Sequence, residues 1–396
     1  MENTANKLER KSQSQIDLKQ QKCEIADSCS ELNTSRQSSA WNLNSCVSNC
    51  CTGSSNPFRS KKFQSTTDIS RSQEPWHRPL TNCMFDSHFK NINRTEEFQI
   101  DHLVAKGAFA SVFKVFPKDK PREHEFALKS IKKSKVIRNN CVKQIKEESD
   151  IQKLCGHHPF IVQHFDSWQD RRHLYILCEY VSNGELFSKI SNFTTELIRL
   201  YVAEIAIAID FLHNAGVIYR DAKPENILLT HNFHIKITDF GLSKWLKLGA
   251  KTRTMCGTHQ YMAPEILRNE PYGHSVDWWA LGVIICQMYT NKFPNIEEIV
   301  KPSALNDEND ILSKPIVFPE EFDSVDPDGR DVIRRLLDIN PKTRLHSVMS
   351  LQRIALYKKF KIDKKFIQNI TPMDIIKKEN IVLRDSTEEL TFDFQF

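Results

Sequence analysis

The stretch YRDAKPEN, residues 219–226, runs straight into the apolar tripeptide Ile227-Leu228-Leu229. It sets Arg220, Asp221, Lys223 and Glu225 within one short segment beside a strand-like run. Burying charge near apolar chain is unfavourable unless each charge finds a partner or a use. A chain with this segment must fold so that a carboxylate, an amide and two cations are held within one turn of each other. That requirement narrows both the fold and the chemistry more than any other feature.

Phosphoryl transfer needs such a mixture, because its catalysis is mostly positioning and charge neutralisation. Asp221 can take a proton from an incoming hydroxyl, and Lys223 can neutralise a transferring phosphoryl group. Asn226, together with Asp239 in TDFGLSK (238–244), offers the hard oxygen ligands that Mg²⁺ prefers. Further upstream, AKGAFASVFKV (105–115) reads as a hairpin with a single glycine, Gly107. FALK (126–129) sets Lys129 on the next strand, and a helical stretch carries Glu148. A strand lysine fixed by a helix carboxylate grips nucleotide phosphates. As a plain surface pair it would contribute less than about 1 kcal/mol.

Bulk properties exclude several classes. Of 396 residues, 40% are hydrophobic and 27% charged, and the net charge is +5, too low and too dispersed to imply a nucleic-acid partner. No apolar run reaches membrane-spanning length, and MENTANKLER at the start has no apolar core of a signal peptide. Cysteines at 141, 155, 178, 256 and 286 sit singly in apolar surroundings, which fits a reducing compartment, cytoplasmic or nuclear. Cys46, Cys50 and Cys51 lack the further ligands that zinc would need and read as thiols in a tail.

Residues 1–95 are rich in Ser, Asn, Gln and Thr and too poor in aliphatics to form a core, so a disordered tail is expected. Periodicity begins near Phe98. Alternation predicts strands at 100–104, 111–116 and 125–131, a helix at 140–154, and strands near 161–168 and 173–179. After SNGE (182–185) helices take over. Ile198, Val202, Ile205, Ile209 and Leu212 form one apolar stripe, and further helices are expected around 275–290 and 329–338. The expected fold class is α+β, with a small β-rich lobe at 98–181, a larger α-helical lobe at 182–360, and a C-terminal tail at 361–396.

AKGAFASV, FALK, YRDAKPEN, DFG, MCGTHQYMAPE and VDWWALGV stand in the order and near the spacing of the eukaryotic protein kinase domain, which residues 98–360 resemble. YRD, HPFIV (158–162), EYVSNGELF (179–187) and CGT before APE look like the AGC group. AKG and DSWQDRRHLYILC (166–178) are similar to its ribosomal S-six-kinase-related subgroup.

The resemblance implies a serine/threonine protein kinase using ATP and Mg²⁺, with protein substrates and an upstream activating kinase as partners. Asp221 and Lys223 would be catalytic, and Asn226 and Asp239 would hold the metal. Ala105, Lys106, Gly107, Ala108 and Val112 would form the phosphate loop, and Lys129, paired with Glu148, would grip the phosphates. Glu179 and Val181 would meet adenine through their backbone, with Cys178 at the gatekeeper position and Glu185 at the ribose. Thr258 points to Ser/Thr acceptors, and Glu185 with Glu225 to basic residues in the substrate. Glu265 would be tied to Arg344, and Asp277 would brace the catalytic loop. Thr254 would be the activation-loop phosphosite, with Arg220 and Lys244 as the partners of its phosphate; without phosphate these cations should splay the segment.

The chain departs from the family pattern at Ala105 and Ala110, where glycines are usual, at Ala222 for Leu, and at Gln144, which should loosen the coupling of the Glu148 helix. The aromatics Phe392, Phe394 and Phe396 suggest self-docking in a small-lobe groove, set against a fraying end. A pseudokinase acting as a nucleotide-binding scaffold is the competing reading, and a structural adaptor would leave the YRDAKPEN charges without a use.

Overall fold

The computed structural model describes residues 84–107, 110–119, 124–190, 192–300 and 315–383, together with the backbone of Asp393–Phe394. Strands β1 (Phe98–Gly107), β2 (Ala110–Pro117) and β3 (Phe126–Lys132) form an antiparallel meander. Helices α1 (Lys133–Arg138) and α2 (Val142–Cys155) follow, and then β4 (His164–Gln169) and β5 (His173–Glu179). The sheet order is β1-β2-β3-β5-β4. Lys129 lies opposite Ile176, and Ala127 opposite Cys178, so β3 is central and flanked on both sides. At the outer edge β10 (Asp393–Phe394) pairs in parallel with β1, Phe394 opposite Gly107. Phe392 and Phe396 lie outside the described residues.

Residues 132–139 fall between the strand expected at 125–131 and the helix expected at 140–154. The chain in fact enters α1 directly from β3, because KSKVIR carries no breaker. Nor does the expected tail reach residue 95. Met84–Lys90 is a turn that buries Phe85 and Phe89 completely. Two aromatics in an otherwise polar segment bury enough apolar surface to order it locally, which averaging over 95 residues hides.

In the large lobe, α3 (Leu186–Lys189) precedes α4 (Thr195–Asn214), which Thr194 caps by accepting from Leu197 N–H. The stripe Ile198 to Leu212 is buried as expected, but so are Ala203 and Ala206 on other faces. A helix buried on more than one face takes the centre of a core rather than its rim. Strand β6 (Val217–Ile218) leads to YRDAKPEN, which is followed by β7 (Ile227–Leu229), β8 (Ile235–Ile237) and β9 (Lys244–Trp245). Helices α5 (Pro264–Leu267), α6 (Ser275–Thr290), α7 (Glu297–Val300), α8 (Pro327–Leu336), α9 (Val348–Leu351), α10 (Lys364–Gln368) and α11 (Pro372–Lys378) complete the lobe. Gly282 lets α6 meet α8 closely, since a Cβ there would lie 2.8 Å from Leu336 Cβ.

The lobes join through backbone hydrogen bonds from Val162 N to Ile237 O and from Ile237 N to Phe160 O, both 2.9 Å. The cleft they bound holds the sequence-predicted residues.

Candidate active site

The catalytic loop hangs between β6 and β7, and α6 fixes it from below. The Asp277 carboxylate accepts from Tyr219 N at 2.9 Å and Arg220 N at 2.7 Å, with His213 Nε2 at 2.8 Å. That clamp holds Arg220 at φ 69°, a conformation unfavourable for a side chain with Cβ and kept only where surrounding contacts dictate it. Asp239 also has a positive φ, 54°. Glu265 and Arg344 form a buried bidentate pair, at 2.7 and 3.0 Å, that supports the lobe beneath.

The Asp221 carboxylate is almost wholly enclosed. Its Oδ1 accepts from Thr258 Oγ1 at 2.9 Å, and its Oδ2 accepts from Asn226 Nδ2 at 2.8 Å and lies 3.1 Å from Lys223 Nζ. Lys223 Nζ in turn donates to the same Thr258 hydroxyl at 3.0 Å. One hydroxyl therefore gives its hydrogen to the aspartate while receiving one from the lysine. The amide oxygen Oδ1 of Asn226 is buried and meets no partner among the described residues.

Across the cleft Lys129 Nζ is 2.6 Å from Glu148 Oε1 and 3.4 Å from Asp239 Oδ1. Burial opposes the ammonium charge, but the carboxylates of Asp239 and Glu148 outweigh it and hold the lysine above its ordinary range. The neighbouring Glu147 instead faces Lys143, at 3.8 Å. Gln144 donates to Gly241 O at 2.7 Å, so α2 is tied to the turn after Asp239. This tie runs to the Gly241 backbone beside Asp239, which the Gln144 amide is long enough to reach directly.

The residues fit a metal that arrives with phosphate. The orphaned Asn226 oxygen and the Asp239 carboxylate are hard donors. Among the described residues no group of three or more His, Cys, Asp or Glu could hold an ion alone. The protein offers part of a coordination shell, and phosphate oxygens and water would complete it.

On the nucleotide side, Ala105 pairs with Val112 and Lys106 with Ser111 along the β1–β2 hairpin, while Ala108 lies outside the described residues. Neither Ala105 nor Ala110 adopts a positive φ, so their methyl groups are accommodated without strain. In the hinge the Glu179 amide is taken by Gln163 O at 2.9 Å, leaving its carbonyl as the group able to meet a base edge. Its side chain pairs with Lys236 at 2.7 Å. The Cys178 thiol is buried, accepts from Gln152 Nε2 at 3.2 Å, and is pushed up to about 12 by burial. Burial, and then the charge of Glu225, raise the Glu185 carboxyl to about 7.

Thr254 is exposed, and its carbonyl accepts from Tyr272 Oη. Lys244 Nζ donates to Thr252 Oγ1 at 3.1 Å, and Thr252 Oγ1 lies 3.4 Å from Thr254 Oγ1. Arg220 Nε donates to Leu242 O at 2.7 Å. The expectation that these cations splay the segment is therefore overturned. Neutral oxygens occupy them, and a two-way backbone pairing of Thr252 with Tyr272, 2.9 Å each way, holds the segment in place.

Sequence reasoning missed four contributors. Tyr219 donates to Thr238 O and meets Phe240 edge-on at 5.5 Å, while Tyr272 anchors Thr254. Phe85 and Phe89 could have been found from their spacing of four, which puts both on one side of a helical turn.

Comparison with known proteins agrees with this geometry. The family model described as "Protein kinase domain" matches residues 98–354. The human "Ribosomal protein S6 kinase-related protein" is 36% identical over 305 residues, covering 76% of this chain and 72% of that protein. The human "cAMP-dependent protein kinase catalytic subunit PRKX" is 39% identical, covering 63% and 67%. The "RAC family serine/threonine-protein kinase homolog" of Dictyostelium discoideum is 36% identical, covering 70% of this chain but only 61% of that longer protein. The chain belongs to the protein kinase domain family and, within it, to the AGC group of serine/threonine protein kinases.

Proposed function

We propose that the cleft transfers the γ-phosphoryl group of ATP to serine or threonine hydroxyls of protein substrates, favours acceptors near basic residues, and is activated when an upstream kinase phosphorylates Thr254. The Thr258 hydroxyl carries this reading, since it donates to Asp221 while accepting from Lys223. An acceptor hydroxyl needs the same pair of contacts, one to take its proton and one to offset charge on the phosphoryl group. The hydroxyl oxygen bonds to the γ-phosphorus, the bond to the bridging oxygen breaks, and ADP leaves. Lys129, set by Glu148, would hold the α- and β-phosphates. Mg²⁺, when bound by Asn226 and Asp239, supplies neutralisation of phosphate charge. The acidic pair Glu185 and Glu225 supports the basic preference, and the ordered Lys129–Glu148 pair speaks against a scaffold without turnover. The singly placed free cysteines support a cytoplasmic or nuclear setting.

The test is transfer of radiolabel from Mg²⁺-ATP to basic peptides, wild type beside Asp239→Ala. Label transferred by the wild type alone is expected. Equal labelling by both proteins, or none by the wild type, would overturn the reading.

A further inference from the structure

We infer that the segment Met84–Lys90, which precedes the kinase domain, is a positioning element for catalysis, plugging the groove between α1, α2, β4 and β5 and holding α2 where Glu148 meets Lys129. The inference rests on the phosphoryl-transfer reading above.

The segment closes a helical turn, with Phe89 N donating to Phe85 O at 2.9 Å, so both rings leave the same side. They meet edge-on at 6.2 Å, and neither has any solvent exposure. They share one apolar cluster with Val136 of α1, Ile145 of α2, and Leu174 and Ile176 of β5. Ile145 lies three residues before Glu148, on the same side of α2. The plug is also locked by polar contacts. Gln169 Nε2 donates to Asp86 Oδ1 at 2.7 Å and to Phe89 O at 3.1 Å, and Ser167 Oγ donates to His88 O at 3.0 Å. The fully buried Lys133 donates to Gln169 Oε1 at 2.6 Å and stands 5.7 Å over the Phe85 ring. His88 Nε2 reaches Asp150 Oδ2 at 3.0 Å, and Asp150 is two residues beyond Glu148.

The segment therefore grips α2 on both sides of Glu148, through the apolar cluster at Ile145 and the His88 contact at Asp150. A helix packed on one face only by a small sheet can shift, and a shift of about 1 Å at a catalytic group can lower turnover by on the order of 10²-fold. A plug that set only general stability would leave kcat of the folded protein alone.

The experiment uses the full chain carrying Phe85→Ala and Phe89→Ala. Circular dichroism checks the fold, and kcat is measured apart from KM for ATP. The expected result is a kcat lower by about 10²-fold with a smaller change in KM. A synthetic peptide MFDSHFKNINR (84–94), added in excess, restores kcat, and the same peptide with both Phe replaced by Ala does not. A folded variant with wild-type kcat, or a loss that the peptide leaves unchanged, overturns the inference. Should the double variant not fold, His88→Asp set against Asp150 is expected to lower kcat, and adding Asp150→His to regain it. Failure of that exchange to move kcat likewise overturns the inference. An inactive wild type would instead sink the phosphoryl-transfer reading.

Discussion

Asn226 donates its amide to Asp221 Oδ2 at 2.8 Å while its own buried carbonyl oxygen meets no partner among the described residues. One side chain thus orients the proton acceptor and keeps a hard donor in reserve. Asp221→Asn is expected to cut turnover by about 10²–10⁴-fold and leave metal-dependent nucleotide uptake intact. Asn226→Ala is expected to weaken that uptake as well. Calorimetry with Mg²⁺ and nucleotide, beside a turnover assay, separates the two. Unchanged turnover in Asp221→Asn would remove the assigned base.

Phosphate on Thr254 would add about −1.5 to −2 charges beside Lys244 and Arg220, which among the described residues meet neutral oxygens. Charge-assisted bonds are the stronger alternative for both cations. Thr254→Ala is expected to lower activity by about tenfold or more, the worth of one such bond, with nucleotide affinity nearly unchanged. Phosphatase treatment of the wild type should reproduce the loss. If both preparations keep full activity, the phosphosite has no switching role.

Burial and the neighbouring Glu225 raise the Glu185 carboxyl to about 7, so below that pH it holds a proton and above it is ionised. A basic substrate side chain placed beside it must expel the proton at lower pH. KM for a basic peptide is therefore expected to fall as pH rises through neutrality, by at most about tenfold per pH unit, and then to level off. Glu185→Gln is expected to raise KM and flatten the profile. A wild-type profile already flat across neutrality would count against Glu185 as a reader of basic residues.

The Glu265–Arg344 pair is buried on both sides. Glu265→Ala strands the guanidinium and is expected to destabilise the protein by about 3–5 kcal/mol, read from denaturant midpoints. An apolar replacement of both partners is expected to lose much less. A Glu265→Ala midpoint equal to wild type would make the pair a bystander.

Much of this was legible in the chain itself. The charges of YRDAKPEN, the strand lysine Lys129 and the oxygen donors Asn226 and Asp239 are local patterns, and local patterns survive in one dimension. Alternation in 111–116 and in 173–179 likewise announced strands that the fold contains.

What needed three dimensions were contacts between segments far apart in sequence. Nothing near Gln144 announces that it reaches Gly241, nothing near Thr254 that neutral oxygens already hold Lys244 and Arg220, and nothing around Phe85 that a groove of α1, α2 and β5 waits for it. Composition averages over a window, whereas burial depends on which distant surfaces meet. The amino-acid order determined which chemistry the chain carries, and tertiary packing decided how its parts are held in register.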